Sequence, residues 1–190
     1  MIDCKKQTQV ITETGLGLHD QPERNGSMYD VVRILLIWLL CFQSVLLHEL
    51  GHALGYRITG GKAKWKIRAG SGPEIISTAK FAFCFLPVGG YFDPREELKT
   101  KKAKLWTLAG GPLVTLLLAA LFYTCCLCFF RFLPQGNALY EVLFSVSRFL
   151  VFFNFFLFLF TAVPMRYRVV CRGFESDGLQ ILHTLKRKKP

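Results

Sequence analysis

The 190-residue sequence predicts an α-helical integral membrane protein, about three transmembrane helices with a membrane-associated β-hairpin between the first and second. Three observations carry that expectation. Hydrophobic residues make up 52% of the chain and aromatics 14%, more apolar surface than a soluble domain of this size can hide. These residues gather into stretches at 31–54, 105–133 and 142–163, each near or above the roughly 20 residues that span a bilayer as a helix. Between the first two stretches the pattern changes from unbroken apolar runs to strict alternation, which is the period of a strand.

Span one carries Arg33 near its start, where a long side chain can snorkel to the interface. It then runs into His48-Glu49-Leu50-Gly51-His52 without leaving the apolar pattern. Over residues 62–69 basic residues alternate with small or apolar ones, which puts Ala63, Trp65, Ile67 and Ala69 on one face. Gly70-Ser71-Gly72-Pro73 is turn chemistry. A second alternation through Phe81, Phe83 and Phe85 ends at Pro87-Val88-Gly89-Gly90-Tyr91, so residues 62–92 read as a hairpin or small curved sheet lying against the cytoplasmic face of the membrane. Lys99, Lys101, Lys102 and Lys104 anchor span two. The expected organisation is a weakly structured extracytoplasmic tail at 1–27, a membrane core at 28–185 and a basic cytoplasmic tail at 186–190.

A net charge of +11 raises the question of nucleic acid, and the placement of the charge answers it. Residues 55–104 hold eleven Lys and Arg against four acids, and the segment after Pro164 holds seven against Glu175 and Asp177. The first thirty residues carry Lys5, Lys6 and Arg24 against five acids. Basic loops stay cytoplasmic, so the charge reports membrane topology: amino terminus outside, the 55–104 loop inside, the 134–141 loop outside, carboxyl terminus inside. No nucleic-acid partner is expected, and a bacterial cell membrane is the expected location. The seven cysteines are odd in number and irregular in spacing, with Cys41, Cys125, Cys126 and Cys128 inside the spans, which argues against a disulfide framework.

The chemistry concentrates at the end of span one. Residues four apart share a helix face, so His48 and His52 can both aim an imidazole nitrogen at one zinc ion while Glu49 projects toward a bound water. Ionisable groups inside a membrane helix are costly and are functional candidates by default. A catalytic zinc takes three protein ligands and leaves a fourth position open. Asp177 is the favoured third ligand because Gly178 lets its backbone come close, with Glu175 and His183 as neighbouring alternatives.

His48-Glu49-Leu50-Gly51-His52, then Pro87-Val88-Gly89-Gly90-Tyr91, then Ala109-Gly110-Gly111-Pro112-Leu113, and finally Asp177-Gly178 past a third span, resemble the site-2 protease family of intramembrane zinc metalloproteases, M50-like peptidases in a minimal core form. The resemblance covers about residues 31–185. It implies three core helices, one zinc ion per chain held by His48, His52 and Asp177, and a membrane-associated hairpin that engages substrate, here with Gly89, Gly90 and Tyr91. The sequence departs from the family pattern in two places. Thr115 stands where an Asn follows Gly-Pro, and Thr161-Ala162-Val163-Pro164 replaces Asn-x-x-Pro, with Asn154 earlier as the substrate-orienting amide and a longer gap from Pro164 to Asp177.

The implied activity is an endopeptidase that cleaves membrane-spanning or membrane-tethered peptides near the cytoplasmic face. Glu49 would act as general base toward the metal-activated water, and the lipid bilayer and a single-span protein or peptide would be its partners. Two other classes compete. A catalytically silent binder would keep the zinc to capture a peptide, but a structural site closes its fourth position and has no use for Glu49. A metal transporter would need a polar path, and spans two and three offer little beyond Asn154 and a few hydroxyls.

Overall fold

The computed structural model describes residues 26–62, 64–95, 98, 100–167 and 175–187, with the backbone alone for 26 and 27. The expected tail up to residue 25, Ala63, Lys99 and residues 188–190 of the basic end lie outside the described residues. The elements run α1 (Gly26–Ile58), β1 (Lys66–Ser77), β2 (Phe81–Asp93), α2 (Lys101–Phe132), α3 (Ala138–Ala162) and α4 (Asp177–Lys186). Met28–Ile58, Lys101–Phe132 and Ala138–Ala162 are long and apolar enough to cross a membrane, so the architecture is the one the sequence predicts. The short α4 has no counterpart in that reading.

Apolar side chains such as Leu35, Leu39, Leu117, Leu121, Phe152 and Phe156 remain exposed on the spans, the face a bilayer would cover. Inside, Cys41 of α1 packs with Val142, Val146 and Leu150 of α3. Between helices in lipid the driving force is close contact rather than escape from water, which favours small residues at crossings. Gly51 and Gly55, one turn apart on α1, meet the backbone of α2 at Gly110 and at Trp106. A Cβ at Gly51 would stand 2.8 Å from Val114 Cγ2 and from the Gly110 carbonyl carbon. Gly51→Ala is therefore expected to destabilise the fold by about 1–3 kcal/mol despite alanine's better helix propensity. Thermal unfolding in detergent reads this out, and an unchanged midpoint would contradict so close a crossing.

Side chains cap the helices at the membrane edges. Thr100 accepts from the Ala103 amide at 3.1 Å to open α2, and Asn137 accepts from the Leu139 amide at 2.9 Å to open α3. Pro112 lies well inside α2 rather than in its first turn, because the helix begins at Lys101.

The strands pair antiparallel with repeated bulges. Ile67, Arg68 and Ala69 have partners on both sides: Phe92, Tyr91 and Gly90 on one, and Phe81, Ala82 and Phe83 on the other. The ribbon thus curls on itself, and Ile67, Ala69, Ala82 and Cys84 are buried within it. The phenylalanines of β2 serve a different purpose from the one the alternation suggests. Phe85 meets Trp38 and Phe83 meets Phe42 on α1, while Phe92 contacts Tyr56 and His52 farther along the same helix. From Trp38 to Tyr56 is about 27 Å of helix, close to the ~30 Å of a hydrocarbon core. The hairpin therefore runs along α1, and its exposed Ile75, Ile76, Phe85, Leu86 and Val88 suit an apolar surrounding.

Candidate metal centre

His48 and His52 sit on one face of α1 as their spacing requires, and both are buried along with Glu49. Their Nε2 atoms face each other at 3.2 Å. Oδ2 of Asp177, the first residue of α4, lies 3.6 Å from His48 Nε2 and 3.4 Å from His52 Nε2. A tetrahedral centre with bonds of about 2.0–2.1 Å has ligand-to-ligand edges of about 3.3–3.4 Å, so these three atoms form a triangle of the right size for one face of such a centre. Among the described residues they are the only cluster of three or more His, Cys, Asp or Glu groups that can hold a metal ion. Cys125, Cys126 and Cys128 form no such cluster.

The tautomer of one ligand follows from its partner. His52 Nδ1 lies 2.7 Å from the Thr107 carbonyl oxygen, which can only accept, so Nδ1 carries the hydrogen and Nε2 presents its lone pair to the cluster. The tight crossing at Gly51 and Gly55 brings that carbonyl within reach. No side-chain pattern marks a backbone acceptor, and nothing in the sequence points to Thr107. His48 Nδ1 has no hydrogen-bond partner among the described residues.

Gly111 completes the cradle. A Cβ there would stand 2.7 Å from His48 Nε2 and 2.6 Å from His52 Cε1, so the absence of a side chain keeps space open beside both imidazoles. The neighbouring Thr115, fully buried, turns its hydroxyl back to the Pro112 carbonyl at 2.9 Å.

Asp177 reaches the cluster because α4 starts against the end of α3. A Cβ at Gly178 would collide with the Ala162 carbonyl, which is the close approach that glycine allows. Burial would push the Asp177 carboxyl up, but the two imidazoles, when protonated at the Nε2 atoms that face it, outweigh that and hold it down at about 2. The two alternative ligands are engaged elsewhere. Glu175 Oε2 pairs with His183 Nδ1 at 3.2 Å, and Arg166 donates to Glu175 Oε1 at 2.9 and 3.1 Å.

Glu49 stands outside the triangle. Its carboxylate packs under Gly90 of β2, where a Cβ would meet Glu49 Cδ at 2.8 Å. Gly89 takes φ of 71°, a left-handed conformation suited to glycine, at the bend that delivers Gly90 to this contact. Tyr91 alternates to the opposite face of the strand. There it lines a cavity of about 190 Å³ with Lys66, Arg68, Glu74, Ala82 and Asp93. Asn154 is fully buried between helices, and its amide donates to Ser44 Oγ of α1 at 3.2 Å and to the Leu150 carbonyl at 2.9 Å.

A comparison with curated proteins finds no match. A family model does match: Peptidase family M50, over residues 36–163, a stretch that takes in most of α1, the hairpin, α2 and α3. Since that match spans more than half of the sequence and contains both histidines of the cluster, the chain belongs to peptidase family M50.

Proposed function

We propose that the chain is a zinc-dependent intramembrane endopeptidase. The observation that carries this reading is the convergence of two imidazole nitrogens and one carboxylate oxygen within 4.8 Å of one another, with both imidazoles on a helix long and apolar enough to span a membrane. His48, His52 and Asp177 would hold the ion, a His₂-carboxylate set that leaves a position open for water. When bound, zinc supplies a Lewis acid that brings the pKa of water toward neutrality and polarises the scissile carbonyl. Glu49, adjacent in sequence to a ligand and absent from the ligand cluster, takes the proton from that water and returns it to the leaving amine nitrogen. Thr107 keeps the proton of His52 on Nδ1.

Substrate handling falls to the hairpin. A peptide bond in a transmembrane helix is shielded by its own hydrogen bonds, and opening it in lipid leaves polar groups unpaired. The edge of β2 at Gly89, Gly90 and Tyr91, beside Glu49, offers strand addition to such an opened segment. The substrate class is a membrane-embedded peptide or single-span protein. Asn154 supports this arrangement from α3, through Ser44 one turn before His48.

Co-expression with tagged single-span proteins and peptide precursors tests the activity. Fragments that appear with wild type and vanish with His48→Ala support the enzyme. Zinc-dependent capture without any cleavage would favour a silent binder instead.

The charge asymmetry supports a cytoplasmic position for the hairpin side and an outward amino terminus. In a background without native cysteines, Lys101→Cys is expected to resist an impermeant thiol reagent in intact cells, while Gln135→Cys in the short α2–α3 connection is labelled. The reverse pattern would invert the topology.

A further inference from the structure

The path from α3 to the third candidate ligand is unusual. Residues between Val163 and Ser176 separate the two helices in sequence, yet the two ends of that segment are tied directly together. Ser176 is 1% exposed. Its hydroxyl donates to the Val163 carbonyl at 2.7 Å and accepts from the Met165 amide at 3.0 Å and the Leu179 amide at 3.2 Å. A serine hydroxyl has one hydrogen and two lone pairs, and all are engaged. The Ser176 amide also donates to the Met165 carbonyl at 3.0 Å, and Arg166 and Glu175 form a bridge and an ion pair just beyond.

One side chain therefore does two things at once. It caps the first turn of α4, and it fastens that turn to the carboxyl end of α3. The next residue is Asp177, whose Oδ2 must be placed to within a fraction of an ångström to meet two imidazoles on α1. Without the tie, the carboxylate would hang on a long connection whose closure costs entropy and fixes no direction. With it, the carboxylate is referenced to α3, which is itself linked to α1 through Asn154 and Ser44. The helix-capping half of this arrangement is tolerant, because Gly serves as an N-cap almost as well as Ser. The Val163 contact needs a side-chain donor, which Gly and Ala both lack.

We propose that Ser176 is a positioning residue for metal binding, acting on Asp177 by locking the start of α4 to the end of α3. This rests on the reading of His48, His52 and Asp177 as a metal site. Outer partners of metal ligands typically contribute 10–100-fold to affinity, and a comparable loss is expected for Ser176→Ala.

The test uses the full chain purified in detergent, with Zn2+ titrated against a chromophoric chelator and Co2+ used to record the visible spectrum of the bound ion. Ser176→Ala should raise the Zn2+ Kd about 10–100-fold and alter the Co2+ spectrum. Ser176→Thr, which retains the hydroxyl, should stay close to wild type. Ser176→Gly, an N-cap tolerated almost as well as serine, loses the Val163 contact, so it should weaken binding as alanine does; it also carries the test if the alanine variant fails to fold. Wild-type affinity in Ser176→Ala, or full affinity in Ser176→Gly, overturns the proposal. His48→Ala separates the two levels. If it loses Zn2+ while Ser176→Ala binds normally, only the role of Ser176 falls. If the wild type binds no Zn2+, the metal site and the role of Ser176 fall together.

Discussion

Glu49→Gln is expected to slow substrate cleavage by about a hundred- to ten-thousand-fold while leaving the metal content unchanged. That loss corresponds to about 3–5 kcal/mol of transition-state stabilisation. The substitution keeps the size of the side chain and its fit beneath Gly90, and removes only the carboxylate that can take a proton. Fragment release from a co-expressed single-span substrate gives the rate, and elemental analysis of the purified protein gives the metal. A variant that cuts as fast as wild type would remove Glu49 from the chemistry. A variant that also loses its metal would move Glu49 into the ligand set.

Gly111→Ala should empty the metal centre without altering any ligand. The added methyl would stand 2.6 Å from His52 Cε1 and 2.7 Å from His48 Nε2, too near for both rings to keep their places. In a helix interior alanine is favoured over glycine by about 0.8–1.0 kcal/mol, so weakening of α2 cannot account for a loss. The expected result is a fall from about one zinc per chain to near none, together with loss of cleavage, in a protein that still purifies as a folded species. Retention of a full equivalent of zinc would show that the imidazoles converge elsewhere than beside Gly111.

The parts of this molecule that the sequence makes readable are those governed by local periodicity. Three apolar stretches become α1, α2 and α3, and the two alternations contribute to β1 and β2; Gly70-Ser71-Gly72-Pro73, expected as the turn, lies inside β1, and the strands are joined at 78–80, where the Thr78 amide donates to the Phe81 carbonyl. The i, i+4 spacing puts His48 and His52 on one face because helix geometry leaves no other option. What period-2 patterning cannot convey is who sits beside whom. It assigns Ile67 and Ala69 to a face, but not the two sets of partners that curl the ribbon around them. The hairpin's course along α1 depends on aromatic contacts such as Phe83 with Phe42, which join residues far apart in sequence. For a third ligand the sequence leaves Asp177, Glu175 and His183 as candidates. What it cannot convey is that α4 brings Asp177 beside the two histidines, through bonds from Ser176 to residues more than ten positions away. Thr107 contributes a backbone carbonyl, which every residue possesses and no sequence pattern singles out.

The contact between Gly90 and Glu49 has a kinetic consequence. Glu49 is only 4% exposed, while Gly90 above it is open to the outside, so the partition over the carboxylate is one strand of backbone thick and carries no side chain. The proposed hydrolysis would consume a peptide and a water in every cycle, each of which has to meet Glu49 at or around that strand. If β2 withdraws during the cycle, that excursion sets a ceiling on the rate that no improvement in the chemistry can exceed. If wild-type turnover runs at the ceiling, the slowing measured for Glu49→Gln is a lower bound on what the carboxylate contributes. Single-turnover measurements with substrate already seated would then reveal a larger deficit than steady-state cleavage does.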